Sequence, residues 1–154
     1  MGLDVRLFDL RPLKKYFYYY VGAAVFFGGL VAYVFYSKNN PIGYVPRQFL
    51  DNTNMIIILF AATFLYSRFS KKELEKIIQT KDDSKKFEAY ISYSKKRTIW
   101  NLFSLLVTAA LFLATYSKVF LIIFILQLSL SIFLYPRKSF ILQELKERDL
   151  EFTS

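Results

Sequence analysis

Long runs without charge alternate along this chain with short blocks crowded with it. The first run, Tyr16 to Ser37, holds no Asp, Glu, Lys or Arg. As a helix rising about 1.5 Å per residue it is long enough to cross a hydrocarbon core of about 30 Å. It opens on Tyr16 to Tyr20 and closes on Tyr33, Phe35 and Tyr36, aromatic girdles of the kind found at both membrane interfaces. Lys14 and Lys15 precede it, as in a secretory signal, but the apolar run is too long for one and has no small-residue cleavage site, so an uncleaved span is expected. The second run, Asn52 to Ser67, follows a connection containing Pro41 and Pro46, and Pro46 suits a first helical turn. From Thr98 to Tyr135 the one charge is Lys118, and the stretch is about twice a bilayer's thickness as helix. It must fold back, with Tyr116, Ser117 and Lys118 as a tight turn and Pro136 ending the last helix. The pattern predicts an all-α polytopic membrane bundle in one domain, with spans near 16–37, 49–67, 98–116 and 119–135.

The connections add an orientation. Eighteen of the 21 Lys and Arg residues lie before Tyr16, between Arg68 and Arg97, or after Pro136. The other connections hold Lys38, Arg47 and Lys118 alone. By the positive-inside rule both termini and the central connection face the cytoplasm of an inner membrane. This segregation also accounts for the net charge of +9 without a nucleic-acid surface.

The central connection, 68–97, reads as helix. Ser70-Lys71-Lys72-Glu73 matches a capping box and Leu74, Ile77 and Ile78 follow at helical spacing. Lys81 to Ser84 form a polar break before a second stripe of Phe87, Tyr90 and Ile91. Two arrangements fit: helices two and three project from the membrane as a short antiparallel pair, or both segments lie on the lipid as basic amphipathic helices. Leu3 to Leu10 suggest a short interfacial segment, and Ser139 to Phe152, in the 136–154 tail, a brief amphipathic helix. Gly2 does not make a myristoylation site, because Arg6 stands where Ser or Thr is needed.

Hydrophobic residues are 55% of the chain, above the soluble average of about 45–50%, which agrees with lipid as the solvent. The absence of Cys and His removes thiolate chemistry and imidazole ligation. No Walker sequence, GxSxG or pair of intramembrane carboxylates is present, so no catalytic residue, metal ligand or cofactor is assigned and an enzyme is not expected. The candidate positions are polar. Arg47, Asp51, Asn52 and Asn54 stand at the outer end of helix two, as a small site or simply as helix-start chemistry in the headgroups. Asn101, Ser104, Thr108 and Thr115 share one face of helix three, and Gln127 with Ser131 shares a side of helix four. That stripe either lines a substrate path or bonds helix to helix. Ala24, Gly28 and Ala32 make a small-residue ladder on helix one that lets another helix, or a second copy, approach closely.

Lys85-Lys86-Phe87-Glu88-Ala89-Tyr90 leading to Lys96-Arg97, the hairpin through Ser117, Tyr135-Pro136 and the Leu/Lys/Glu-rich tail together resemble small four-span membrane proteins of Bacteroidota. The resemblance covers roughly Lys85 to Leu145 and implies a four-span fold and a bacterial inner-membrane location, with no activity to transfer. The expected role is a non-enzymatic accessory or scaffold subunit in the bilayer, bound to a protein partner or to its own copies. The alternatives are a small transporter or channel using the polar stripe, and an immunity-type protein that blocks a toxin at the membrane.

Overall fold

Uninterrupted helix former sequence without Gly or Pro carries two of the helices far beyond the apolar runs. The computed structural model describes residues 6–37, 52–146 and 150–153. α1 spans Arg11–Ser37, α2 Asn52–Ile78, α3 Asp83–Thr115, α4 Lys118–Leu130 and α5 Lys138–Leu145. The fold is all-α apart from two short strands, β1 (Arg6–Asp9) and β2 (Leu150–Thr153). Three helices (α1, α2 and α3) are long and apolar enough to cross a membrane, and a fourth crossing is available if the bent pair Lys118–Leu134 and Lys138–Leu145 is one span.

α1 starts at Arg11, earlier than Tyr16. Pro12 sits in its first turn, where a missing N–H costs nothing, and the Asp9 carboxylate accepts the Arg11 backbone N–H at 2.9 Å. α2 runs through Ser70 without a break, which corrects the capping-box expectation. A cap needs a residue that leaves the helix, and no Gly or Pro between 52 and 78 stops this one. Ser70 instead donates to the Tyr93 hydroxyl at 3.0 Å and Glu73 pairs with Lys96 at 2.6 Å, both across to α3. The true break is at 79–82, where the Asp82 carboxylate accepts the N–H groups of Ser84 and Lys85 and starts α3. Lengths of helix in α2 beyond Ser67 and in α3 before Thr98 therefore lie side by side as an antiparallel pair.

α3 ends at Tyr116, whose left-handed backbone (φ 52°) lets its N–H reach the Phe112 carbonyl at 2.7 Å. Ser117 then begins α4, giving the tight hairpin that chain length required. α4 tightens into a 3-10 turn at Ser131–Leu134, and Pro136 forces the chain to turn 84° into α5.

Two cores result. In the bundle, α3 is the central helix, packing on α1, α4 and α2, around Tyr20, Val31, Val34, Leu105, Phe112 and Phe120. At one end a separate cap gathers Phe8, Leu13, Ile77, Tyr90, Ile141 and Leu145, drawn from the N-terminal segment, both inter-helix extensions and α5. β1 and β2 pair in parallel there, with Arg6 opposite Leu150 and Asp9 opposite Thr153. The two ends of the chain are thus joined at the same end of the bundle. This corrects the reading of the tail as one helix from Ser139 to Phe152, since α5 stops at Leu145 and β2 follows. Two isolated strands are marginal alone, and Phe8, 1% exposed, anchors β1 edge-on against Phe87 and Tyr90.

Around the bundle the surface is apolar. Phe26 (68% exposed), Phe60 (67%) and Ile122 (58%) represent belts on α1, α2 and α4, and none of the apolar window of α2 is buried.

Candidate functional site: a polar cleft above the cap

α2 and α4 each pack on α3, and at the level just above the cap they leave a cleft of about 330 Å³ between them. α3 lines it with Arg97, Trp100, Asn101 and Ser104, at the spacing of one helical face. α2 contributes Thr63, Tyr66, Ser67 and Ser70. The rest of the wall is Gln127, Leu130, Ser131 and Leu134 from α4 and its 3-10 turn, with Tyr20 of α1 at the back. Tyr66 lies flat on Trp100, ring centroids 4.6 Å apart at 10°, which fixes α2 to α3 at this level.

The polar groups link three helices. Gln127 Nε2 donates to Ser104 Oγ at 3.0 Å, joining α4 to α3. Ser131 donates to the Gln127 carbonyl at 2.7 Å and shares a short hydrogen bond with the Tyr20 hydroxyl, joining α4 to α1. Asn101 Nδ2 donates back to the Arg97 carbonyl at 2.8 Å. Two buried polar atoms on the cleft's residues have no partner among the described residues, Gln127 Oε1 and Arg97 Nε. Leaving a buried polar atom unmet costs about 1–3 kcal/mol, so these two atoms single out the cleft within a well-bonded bundle.

The cleft has one end. Beyond Ser104 the bundle closes over Leu105, Ala109, Phe112, Phe120 and Phe124, each at most 2% exposed. Thr108, expected on the polar face, is fully buried in this plug and satisfies itself on the Ser104 carbonyl at 2.9 Å. Thr115 does likewise on Leu111. Asn101, Ser104, Gln127 and Ser131 therefore come together, and Thr108 and Thr115 do not join them. Asn54 sits on the exposed first turns of α2, more than two turns from Thr63. Arg47 and Asp51, like Pro41 and Pro46, lie outside the described residues. In the small-residue ladder Ala24 is buried, Gly28 faces Leu128 of α4, and Ala32 is exposed.

Sequence reasoning missed the group at the cleft's foot. Arg97 Nη1 meets Glu144 Oε1 of α5 at 2.7 Å, with the two side chains 18% and 14% exposed. Tyr90 donates to the other oxygen of Glu144, and the guanidinium lies 5.6 Å from the ring centres of Tyr93 and Phe140. Burial, then the adjacent Glu144 carboxylate, pushes the Tyr90 phenol far above its ordinary value. Burial works against the Arg97 charge, but Glu144 and the two phenols outweigh it and hold the guanidinium above its ordinary value. Nothing local couples residues this far apart in sequence. The available signal was that Arg97 is the last charge before a long apolar run and Glu144 faces the apolar side of a short helix. Among the described residues no three carboxylates converge as a metal site would need.

No protein-family model, curated protein or solved structure matches this chain. Its class is therefore defined by its own fold: a small all-helical protein with three helices, or four counting the bent pair, long and apolar enough to span a bilayer.

Proposed function

We propose that this chain is a four-span integral membrane protein with the capped end and both termini in the cytoplasm, working as a non-enzymatic accessory or scaffold subunit. The apolar belt supports this reading. Ile57, Ile58, Phe60, Phe64 and Leu65 of α2 are all more than half exposed, and water would penalise such a contiguous surface where lipid or a neighbouring helix would not. The α4 unit, Lys118–Leu134, rises about 25 Å, enough for a short crossing. An even number of crossings suits a chain whose first and last strands pair, and the basic residues of 6–15, 68–97 and 137–148 then share the cytoplasmic face. The likeness to small four-span proteins of Bacteroidota fits this reading and an inner-membrane location.

Among the described residues α2 packs chiefly on α3, with a smaller contact to α5, which leaves its other flank for lipid and for a partner helix. Single cysteines at Phe60 and Phe64, in a chain that has none of its own, should crosslink in native membranes to one partner or a second copy, while Val25→Cys on α1 should not. If neither α2 position gave a discrete product and mild extraction yielded a free monomer, the scaffold role would fail. A transporter reading rests on the Ser104–Gln127 cleft, but the apolar plug beyond it favours binding over passage.

A further inference from the structure

We propose that the cleft between α2 and α4 holds one glycerophospholipid of the cytoplasmic leaflet, with its phosphate diester at Arg97 and its ester region at Gln127. This deepens the membrane reading and rests on it.

Depth comes first. Arg97 and Ser104 are about 10 Å apart along α3, whereas the polar layer of one leaflet is roughly 5–7 Å thick. The foot of the cleft is therefore level with phosphates when its upper end is level with glycerol esters and the first methylenes. The mouth is open sideways, since Leu130 is 62% exposed and Thr63 is exposed on the facing helix. A lipid can enter from the bilayer with its chains still lying along the apolar belt.

Chemistry agrees at both ends. Arg97 uses Nη1 on Glu144 and leaves Nε–H without a partner, a donor suited to a phosphate oxygen. Glu144 offsets one charge, and Lys71, one turn below the lining residue Ser67 on the same side of α2, adds a cation beside the mouth. Basic pockets between membrane helices on the cytoplasmic side bind acidic headgroups in this manner. At the upper end the Ser104 hydroxyl can accept from the Gln127 amide nitrogen or donate to its oxygen. The amide can thus turn its spare group, donor or acceptor, to an ester carbonyl or a headgroup hydroxyl. Stacked Tyr66 and Trp100 form a flat wall beside it.

The test uses the full chain in nanodiscs of phosphatidylcholine with a minority of phosphatidylglycerol, released into mild detergent and weighed intact by native mass spectrometry. The wild type should retain one phosphatidylglycerol. Gln127→Leu, and Ser67→Leu at the exposed mouth, should each reduce retention on the order of tenfold, while Ser129→Leu on the outer face of α4 should leave it unchanged. The thermal transition of each variant confirms that it is folded. Equal retention by all variants would mean annular lipid alone and overturn the site. Displacement of the lipid by inorganic phosphate would show that a free phosphate suffices and overturn the lipid assignment. Protein found in the soluble fraction would sink the membrane reading itself, whereas membrane-bound protein without retained lipid would sink this inference alone.

Discussion

Arg97 Nη1 and Glu144 Oε1 lie 2.7 Å apart, tying the point where α3 enters the bundle to α5 of the tail, 47 residues on. The pair is largely buried, and removing one member of such a pair strands the other without water. Glu144→Ala or Arg97→Ala should destabilise by about 3–5 kcal/mol, because the lone charge keeps its desolvation cost. Arg97→Met combined with Glu144→Met should recover most of that loss. Unfolding of the detergent-solubilised protein measures both, and limited proteolysis should show the tail released first in the single variants.

Tyr90 carries a pH dependence. Its folded-state phenol is raised above the ordinary 10.0, so between that value and the raised one the folded protein keeps a proton the unfolded chain has lost. Stability is then complete below pH 10 and falls as pH rises beyond it. Tyr90→Phe should flatten the alkaline slope relative to wild type in paired melting curves, since it abolishes this titration and leaves the lysines in place.

The helix-one ladder separates two kinds of contact. A Cβ added at Gly28 would meet Leu128 Cδ1 at 3.9 Å, ordinary contact, so Gly28→Ala should be neutral or stabilise by up to about 1 kcal/mol through lost chain entropy. Ala24 is 7% exposed inside the bundle core, and Ala24→Phe should cost about 1–3 kcal/mol by overpacking. Comparison of the two melting temperatures in one detergent checks the contrast.

The long helices were legible because lipid-length runs such as Tyr16 to Ser37 admit few other structures, and the hairpin at Ser117 followed from length alone. The strands were not. Val5, Leu7 and their polar neighbours Asp4 and Arg6 do alternate with period two, but the partner strand is at the far end of the chain, and pairing across such a distance has no local mark. Ser70 and Glu73 misled for the opposite reason: a capping pattern is local, and here tertiary partners on α3 use both side chains. Of the polar stripe, Asn101, Ser104 and Gln127 were placed by helical spacing, while Thr108 satisfied itself within α3. The Arg97–Glu144–Tyr90 group needed the 84° turn at Pro136, which brings α5 back under the bundle.

Cysteine labelling tests the four-span account most directly, because the chain contains no cysteine to obscure it. Ser84→Cys between α2 and α3, Ser139→Cys on α5 and Lys118→Cys in the α3–α4 turn are treated with a membrane-impermeant maleimide in intact spheroplasts and after permeabilisation. Lys118→Cys should label in intact spheroplasts, and Ser84→Cys and Ser139→Cys only once the membrane is opened. Labelling of Ser84→Cys or Ser139→Cys in intact spheroplasts would contradict the four-span account.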